Sequence, residues 1–272
     1  MTTMQKTIKY LALAFAIFLC ISIISGICGA LSAITYFLSG NATDEMTSHV
    51  IENSFSNLKV DISAAELEIK TGETFSVETN HKHLKYKENG ETLEINEIKP
   101  FFTSHSGGMK VILTIPKETF FDYAEIDAEA GSVTIDELLA NSMKISLGAG
   151  ELFVVRLEAN DEAEIDGGAG SVTIRGGYLN NADIDVGVGE LNLTGELDGK
   201  SSIDYGVGEA NLVLIGEDND YKIKLDKGIG EAWLNGKKMS DDSVYGGGSK
   251  QIEIDGGIGE LNIIFRARSD ED

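Results

Sequence analysis

Ile184-Asp-Val-Gly-Val-Gly-Glu-Leu-Asn-Leu193 and Ile203-Asp-Tyr-Gly-Val-Gly-Glu-Ala-Asn-Leu212 are two copies of one phrase, and the spacing of its copies decides the fold. Between Ala124 and Phe265 the phrase recurs with its last glycine at Gly131, Gly150, Gly170, Gly189, Gly208, Gly230 and Gly259. The intervals are 19, 20, 19, 19, 22 and 29 residues. A period near 20 with strand-like content marks a stack of coils. The expected fold is therefore all-β, a parallel β-solenoid of about 19–20-residue coils. A meander of antiparallel hairpins turning at Gly-x-Gly is the alternative; it explains the phrase but not the near-constant return length.

Aligning the copies gives columns. Ile126, Ile145, Ile165, Ile184, Ile203, Leu225 and Ile254 form one apolar column. Ala130, Ala149, Ala169, Val188, Val207, Ile229 and Ile258 form a second, four residues on. Val133, Leu152, Val172, Leu191, Ala210, Ala232 and Leu261 form a third, and a fourth follows two residues later, from Ile135 to Ile263. Alternation of period two holds on both sides of the turn and slips by one residue at the last glycine, so all four columns are expected to face inward across a corner. Glycine suits that corner because it accepts positive φ and close backbone approach. A second corner is expected near Leu138, Leu157, Leu179 and Leu197, and Lys227 is expected to mark a widened coil. Asp136 to Leu139 is the one stretch after residue 40 that reads as a turn of helix. The 13 residues Lys237 to Ser249 read as an insertion accounting for the longest interval.

Of 31 glycines, 24 lie after residue 130, so glycine belongs to the repeat and not to a flexible linker. The formal charge is −23, and residues 1–38 contain only Lys6 and Lys9, leaving 20 basic against 45 acidic residues, or −25, in the remainder. Such a surface excludes nucleic acid as a partner and favours cations or basic partners. Cys20 and Cys28 both precede residue 40, so no disulfide or thiolate metal site is expected in the remainder.

Tyr10 to Leu38 is a 29-residue run without formal charge, long enough for a transmembrane helix and too long for the core of a cleaved signal peptide. The residues before Cys28 and Cys20 do not match a lipidation pattern. Lysines before the run and acids after it place residues 1–9 in the cytoplasm, 10–38 in the membrane and the remainder outside, as a single-pass cell-membrane protein. Residues 39–54 read as a polar linker, 55–120 as N-terminal strands capping the stack, 121–266 as the coils and 267–272 as an acidic tail. Within 55–120, Ala64-Ala65-Glu66 is a degenerate copy of the phrase, Asn89-Gly90 marks a hairpin and Pro116 ends a strand. Arg266, Arg268 and the acidic tail are expected to blunt the far end.

An aspartate column (Asp127, Asp166, Asp185, Asp204, Asp226, Asp255) and a glutamate column (Glu151, Glu190, Glu209, Glu231, Glu260) flank the turn. Neighbours about 5 Å apart repel by up to roughly 1 kcal/mol per pair in water, less with salt. Two readings compete: a solvated acidic face, or ladders that hold Ca²⁺. The calcium candidates are Asp185, Glu190, Asp204 and Glu209 on the ladders, with Asp218 and Asp220 in the Glu217–Asp220 loop. The calcium β-roll phrase is absent, since Gly167-Gly168-Ala169-Gly170 is followed by Ser171-Val172. No other cofactor is expected. Carboxylates recurring on almost every coil describe a structural repeat, whereas a glycosidase needs one acid and one base at a defined separation. No nucleophile elbow, phosphate loop or zinc triad occurs, and no catalysis is expected. His81-x-His83 reads as exposed strand histidines, and Asn192, Asn211 and Asn262 as a short amide ladder.

The N-terminal anchor, the strand ending Thr114-Ile115-Pro116, the segment Ala124-Glu-Ile-Asp-Ala-Glu-Ala-Gly-Ser-Val-Thr-Ile135 and the repeated Gly-x-Gly-Glu-Leu-x-Leu together resemble the bacterial "putative adhesin" β-strand-repeat family of unknown function, found largely in Firmicutes and relatives. The resemblance covers roughly residues 55–265 and implies an extracytoplasmic repeat domain on the cell envelope with no catalytic residues. The expected function is a membrane-anchored binding or scaffold module, adhesin-like, with a protein or a cell-wall or glycan ligand. The rivals are an accessory or sensor part of an envelope-stress system, a cation-binding structural protein, a polysaccharide-active β-helix enzyme, and self-association through stacked strands.

Overall fold

The computed structural model describes residues 42–81, 83–97 and 108–268. The expected cytoplasmic segment 1–9, the anchor 10–38, most of the loop from Pro100 to Gly108 and the end of the acidic tail lie outside the described residues. Among the described residues no helix is long and apolar enough to cross a membrane.

The chain is all-β. Strands β1 (Ala42–Ile51), β2 (Asn57–Gly72), β3 (Phe75–His81), β4 (Leu84–Asn89), β5 (Thr92–Glu97) and β6 (Lys110–Pro116) precede the repeats. The long β7 (Phe120–Ile174) bends through three coils without a break and is followed by β8 (Gly177–Asn180), β9 (Ala182–Asp198) and β10 (Lys200–Ile215). The chain closes with β11 (Tyr221–Asp226), β12 (Ile229–Leu234), β13 (Lys237–Lys238), β14 (Ser243–Gly246) and β15 (Lys250–Arg266).

Successive coils pair in parallel and in register. Ile203 lies beside Ile184, Gly208 beside Gly189 and Leu212 beside Leu193. The same register joins β7 to β9, β2 to β7 and β10 to β15. This solenoid-like stacking removes the hairpin meander. Asp136 to Leu139 is strand within β7, where the alternation slips so that Leu138, Leu139 and Ala140 are all buried.

The core is the inside of the stack. The first column is buried from Ile95 and Val60 through Ile126, Ile184 and Ile203 to Ile254 and Leu225. Ala64, Ala65 and Glu66 pair with Ala130, Gly131 and Ser132, so Asn57–Gly72 is a regular coil and not only part of a cap. The column at Ala130, Val188, Val207 and Ile258 does not join the core: it is half-buried, and its last member, Ile229, is 61% exposed. The inward position at the corner belongs instead to the residue two after the isoleucine, as in Val186 and Tyr205. The expected second corner is a short third ladder, and its leucines are out of step: Leu157 pairs with Gly177, while Leu179 pairs with Ala159 and Leu197.

The coils do not stack in chain order at either end. The last, β15, is inserted between β10 and the layer made by β11 and β12. The first, β2, lies between β7 and the layer made by β5 and β6. Internal segments therefore close both ends. Antiparallel β3 covers β6, β1 covers β3, and β4 covers β5. At the far end β14 covers β11 and β13 covers β12, both antiparallel.

Three expectations change as a result. Most of the predicted 39–54 linker is strand β1; its residues 45–50 face solvent at the sheet edge while Ile51 is buried. The insertion Lys237 to Ser249 is the cap of the far end, with its own Met239 buried, so Arg266 and Arg268 do not serve as that cap. Lys227 widens nothing, because Asp226 pairs with Asp255 and Ile229 with Ile258 across an equal count of residues. Its ammonium instead donates to the Gly230 carbonyl at 3.0 Å.

Short antiparallel caps suppress the open-edge pairing that a parallel stack invites. The hairpin read at Asn89-Gly90 is present, with Gly90 at φ 62°. Phe55, Phe75 and Phe121 plug the first end, the first two rings edge-on at 5.5 Å and the last two at 6.5 Å.

Glycine at the corner is obligatory for two reasons, seen at Gly189. Its φ is 146°, a region that L-residues with side chains rarely adopt, and a Cβ there would overlap the carbonyl oxygen of Gly170 in the coil beneath. Gly189→Ala is expected to destabilise the chain by about 3 kcal/mol or more. Gly247→Ala, where a Cβ meets nothing within 4 Å, should stay within about 0.5 kcal/mol. Denaturant melts of the two variants check the contrast.

Candidate functional site

Parallel register turns each outward sequence position into a ladder with a step of about 4.8 Å. Asp185, Asp204, Asp255 and Asp226 lie on consecutive layers, in that order, and so do Glu190, Glu209, Glu260 and Glu231. Asp61 pairs with Asp127 and extends the aspartate ladder at its start, a member the column alignment missed. Ser146, which interrupts the ladder, donates from Oγ to Asp166 at 3.2 Å, and Lys144 pairs with both Glu164 and Asp166. The ladder is thus neutralised locally at Asp166.

The later ladder is not. Among the described residues Asp185, Asp204, Asp255 and Asp226 form no ion pair. Burial, then the charges of Asp255 and Asp185, push the Asp204 carboxyl above the usual aspartate range, although the Ser202 hydroxyl donates to it at 3.4 Å. Like charges in a column disfavour one another's ionisation.

The structure brings the calcium candidates together in pairs, Asp185 with Asp204 and Glu190 with Glu209. Asp218 and Asp220 sit apart from the ladders, in a single 3-10 turn ahead of β11. There the Asp220 carboxylate accepts from the Glu217 N–H at 2.9 Å. Among the described residues no group of three or more His, Cys, Asp or Glu is placed to hold a metal ion.

The amide ladder is present. Asn211 Nδ2 donates to Asn192 Oδ1 and Asn262 Nδ2 to Asn211 Oδ1, each at 3.1 Å. Asn192 and Asn211 also donate to the glutamate of their own coil, at 2.8 Å to Glu190 and 3.0 Å to Glu209. One amide thus ties a coil to its neighbour and holds a carboxylate of the acidic face. Trp233 takes the asparagine's place on the end layer, with the Lys238 ammonium 5.8 Å from its ring centre.

The histidines are not as expected. His81 is only 4% exposed, facing Glu97 at 3.6 Å and packing edge-on against His83 at 5.7 Å between ring centres. The alternation of β3 places position 81 on the inward side, which the pair of histidines obscured. Column analysis also had no means of finding the clamp on buried Glu196, which pairs with Lys250 at 2.6 Å and with Arg268. Its members are 54 and 72 residues apart in the chain, and no local spacing announces it.

An all-β stack of in-register coils with an acidic outer face, closed at each end by antiparallel strands, defines a repeat domain of the solenoid-like class. The Toastrack DUF4097 family model matches residues 55–249, and the chain belongs to that family. The resemblance read from the motifs is thereby borne out. Solved structures similar to it include a putative cell adhesion protein from Clostridium sporogenes ATCC 15579, at 17% identity and TM-score 0.33 over 82% of this chain and 99% of that one. A putative adhesin from Parabacteroides distasonis ATCC 8503 is similar at 18% identity and TM-score 0.40, over 84% and 99%. A putative lipid binding protein from the same organism is similar at 15% and 0.34, over 81% and 98%. A search of curated proteins finds no match.

Two substitutions test the ladders. Asn211→Asp removes the donors to Asn192 and Glu209 and adds a charge beside Glu209, so a loss of about 1–2 kcal/mol is expected in denaturant melts. Asp204 ionises less readily folded than unfolded, so its charge opposes folding at neutral pH. That penalty is relieved as pH falls through the folded-state pKa. Asp204→Asn is therefore expected to melt higher than the parent at neutral pH, with the difference closing once pH falls below the unfolded aspartate value.

Proposed function

We propose that the chain is a membrane-anchored module presented outside the cell that acts by binding or scaffolding at the envelope, adhesin-like and without catalysis. The observation that carries this reading is the repetition of its outward chemistry. Aspartate, glutamate and asparagine recur at the same positions on successive coils, making an extended, regular surface. Quasi-one-dimensional stacks use such surfaces for partners, each coil touching only its neighbours. The 29-residue uncharged run from Tyr10 to Leu38, with Lys6 and Lys9 before it, supplies the anchor and its orientation.

Ser249 is exposed in the cap, and the chain's own cysteines lie in the apolar run. Ser249→Cys in the full chain should therefore react with a membrane-impermeant maleimide on intact cells. Labelling only after permeabilisation overturns the external placement. Capture of purified wall polymers or envelope proteins by the full chain tests the binding role, and failure to retain any of them counts against it.

A further inference from the structure

The first end of the stack is split. Strands β5 and β6 both lie on β2, as two arms of one layer. Beyond that layer the arms continue separately: β3 and β1 extend the arm of β6, and β4 extends that of β5. A cavity of about 340 Å³ lies among these strands. To it β1 supplies Thr47 and His49, β3 supplies Val77 and His81, and β4 supplies Leu84 and Tyr86. Register puts these side chains on the inner faces, for His49 pairs with buried Val77 and Tyr86 with buried Ile95. The rings of His49 and Tyr86 meet from the two sides, 5.5 Å apart between centres. The wall is held by hydrogen bonds: Thr47 Oγ1 donates to the Thr79 carbonyl and Thr79 Oγ1 to that of Lys110, both at 3.0 Å. His81 Nε2 faces Glu97 at 3.6 Å, and that buried carboxylate accepts from the Ser63 N–H at 2.9 Å. Although the chain has 45 acidic residues, none lines this cavity.

We propose that this cavity is a binding site for a neutral sugar ring, apart from the acidic face and independent of it. Its volume lies at the lower end of the roughly 300–1,000 Å³ of small-ligand sites, which suits one compact ring and not a chain. The lining divides as such an amphipathic ring requires. Val77, Leu84 and the face of Tyr86 receive its C–H face and any methyl substituent. Its hydroxyls meet the His49 imidazole, which can both donate and accept, and the Thr47 oxygen, which keeps a lone pair after donating to Thr79. A charged ligand is served less well. A cation meets no acid among the lining residues, and Lys85, at the border, has its side chain on the outer face of β4 by alternation.

Ligand-observed NMR titration of the purified full chain, in a detergent without a sugar headgroup, tests it. Saturable binding of N-acetylglucosamine is expected, with its charged counterparts glucosamine and glucuronate weaker by about threefold or more at neutral pH. Tyr86→Ala should weaken binding by about fivefold. Thr47→Phe, at an exposed position of β1, fills the cavity without touching the hairpin of β4 and β5, and should abolish binding. Tyr123→Ala removes an equally exposed tyrosine, 39% against 38%, from outside the cavity and should leave binding unaltered. The β-linked trimer of N-acetylglucosamine identifies the source of the ring: tighter binding than the monomer points to the end of a glycan, equal or weaker binding to a free sugar. Absence of saturation, tighter binding of either charged sugar, unchanged affinity in Tyr86→Ala or Thr47→Phe, or equal weakening in Tyr123→Ala overturns the proposal. None of these outcomes bears on the acidic face, whose capture of envelope components should survive Tyr86→Ala.

Discussion

Each coil can lie on the next only where the corner residue carries no side chain. At Gly150, Gly170, Gly189, Gly208, Gly259 and Gly230 a Cβ would strike the backbone oxygen of the glycine one layer away. This column of close approaches fixes the register of everything else. Once glycine stands over glycine, isoleucine stands over isoleucine in the core and aspartate over aspartate outside. The apolar columns offset the repulsion of the acidic ones. A buried isoleucine contributes about 1.5–3 kcal/mol per layer, against roughly 1 kcal/mol or less between exposed neighbouring carboxylates.

The ends obey a different constraint. A parallel stack exposes unpaired backbone groups at each terminus, and the chain resolves this in the same way twice. It lays down a penultimate layer, makes an antiparallel excursion that becomes the end, and leaves β2 and β15 as interior layers. The C-terminal strand β15 is thereby locked inside, whereas β1 is left as the edge of the first end. Glu196, clamped by Lys250 and Arg268, adds a charged tie between the returning coil and β9.

Function follows from what the repeat leaves outside. Where Lys144 and Ser146 reach the ladder, its acids are satisfied, and that part is a structural face. Where Gly206, Gly256 and Gly257 strip the corner of side chains and, among the described residues, no cation forms an ion pair with the four aspartates, the same ladder borders a groove. One repeated phrase thus yields two environments, distinguished by the neighbours of the aspartates and not by the aspartates themselves.

The sequence by itself determined the coil, its period and its columns, because a residue pattern of fixed interval reflects like stacking on like. It also announced the amide ladder of Asn192, Asn211 and Asn262 and the in-register acidic columns, with Asp204 beside Asp185 and Glu209 beside Glu190. Only the tertiary structure decided the order of layers at the ends, since pairing of β15 with both β10 and β11 is a choice between strands of the same pattern. It also decided that the column of Val188 and Val207 stays half-buried, because the direction of a side chain at a bend depends on backbone torsion and not on alternation. The polar β1 was legible only as a linker, for its residues 45–50 are exposed on both faces and it owes its pairing to β3, more than twenty residues away. The partnerless phenol of Tyr205 and the clamp on Glu196 arise from contacts between layers, which no interval along the chain records.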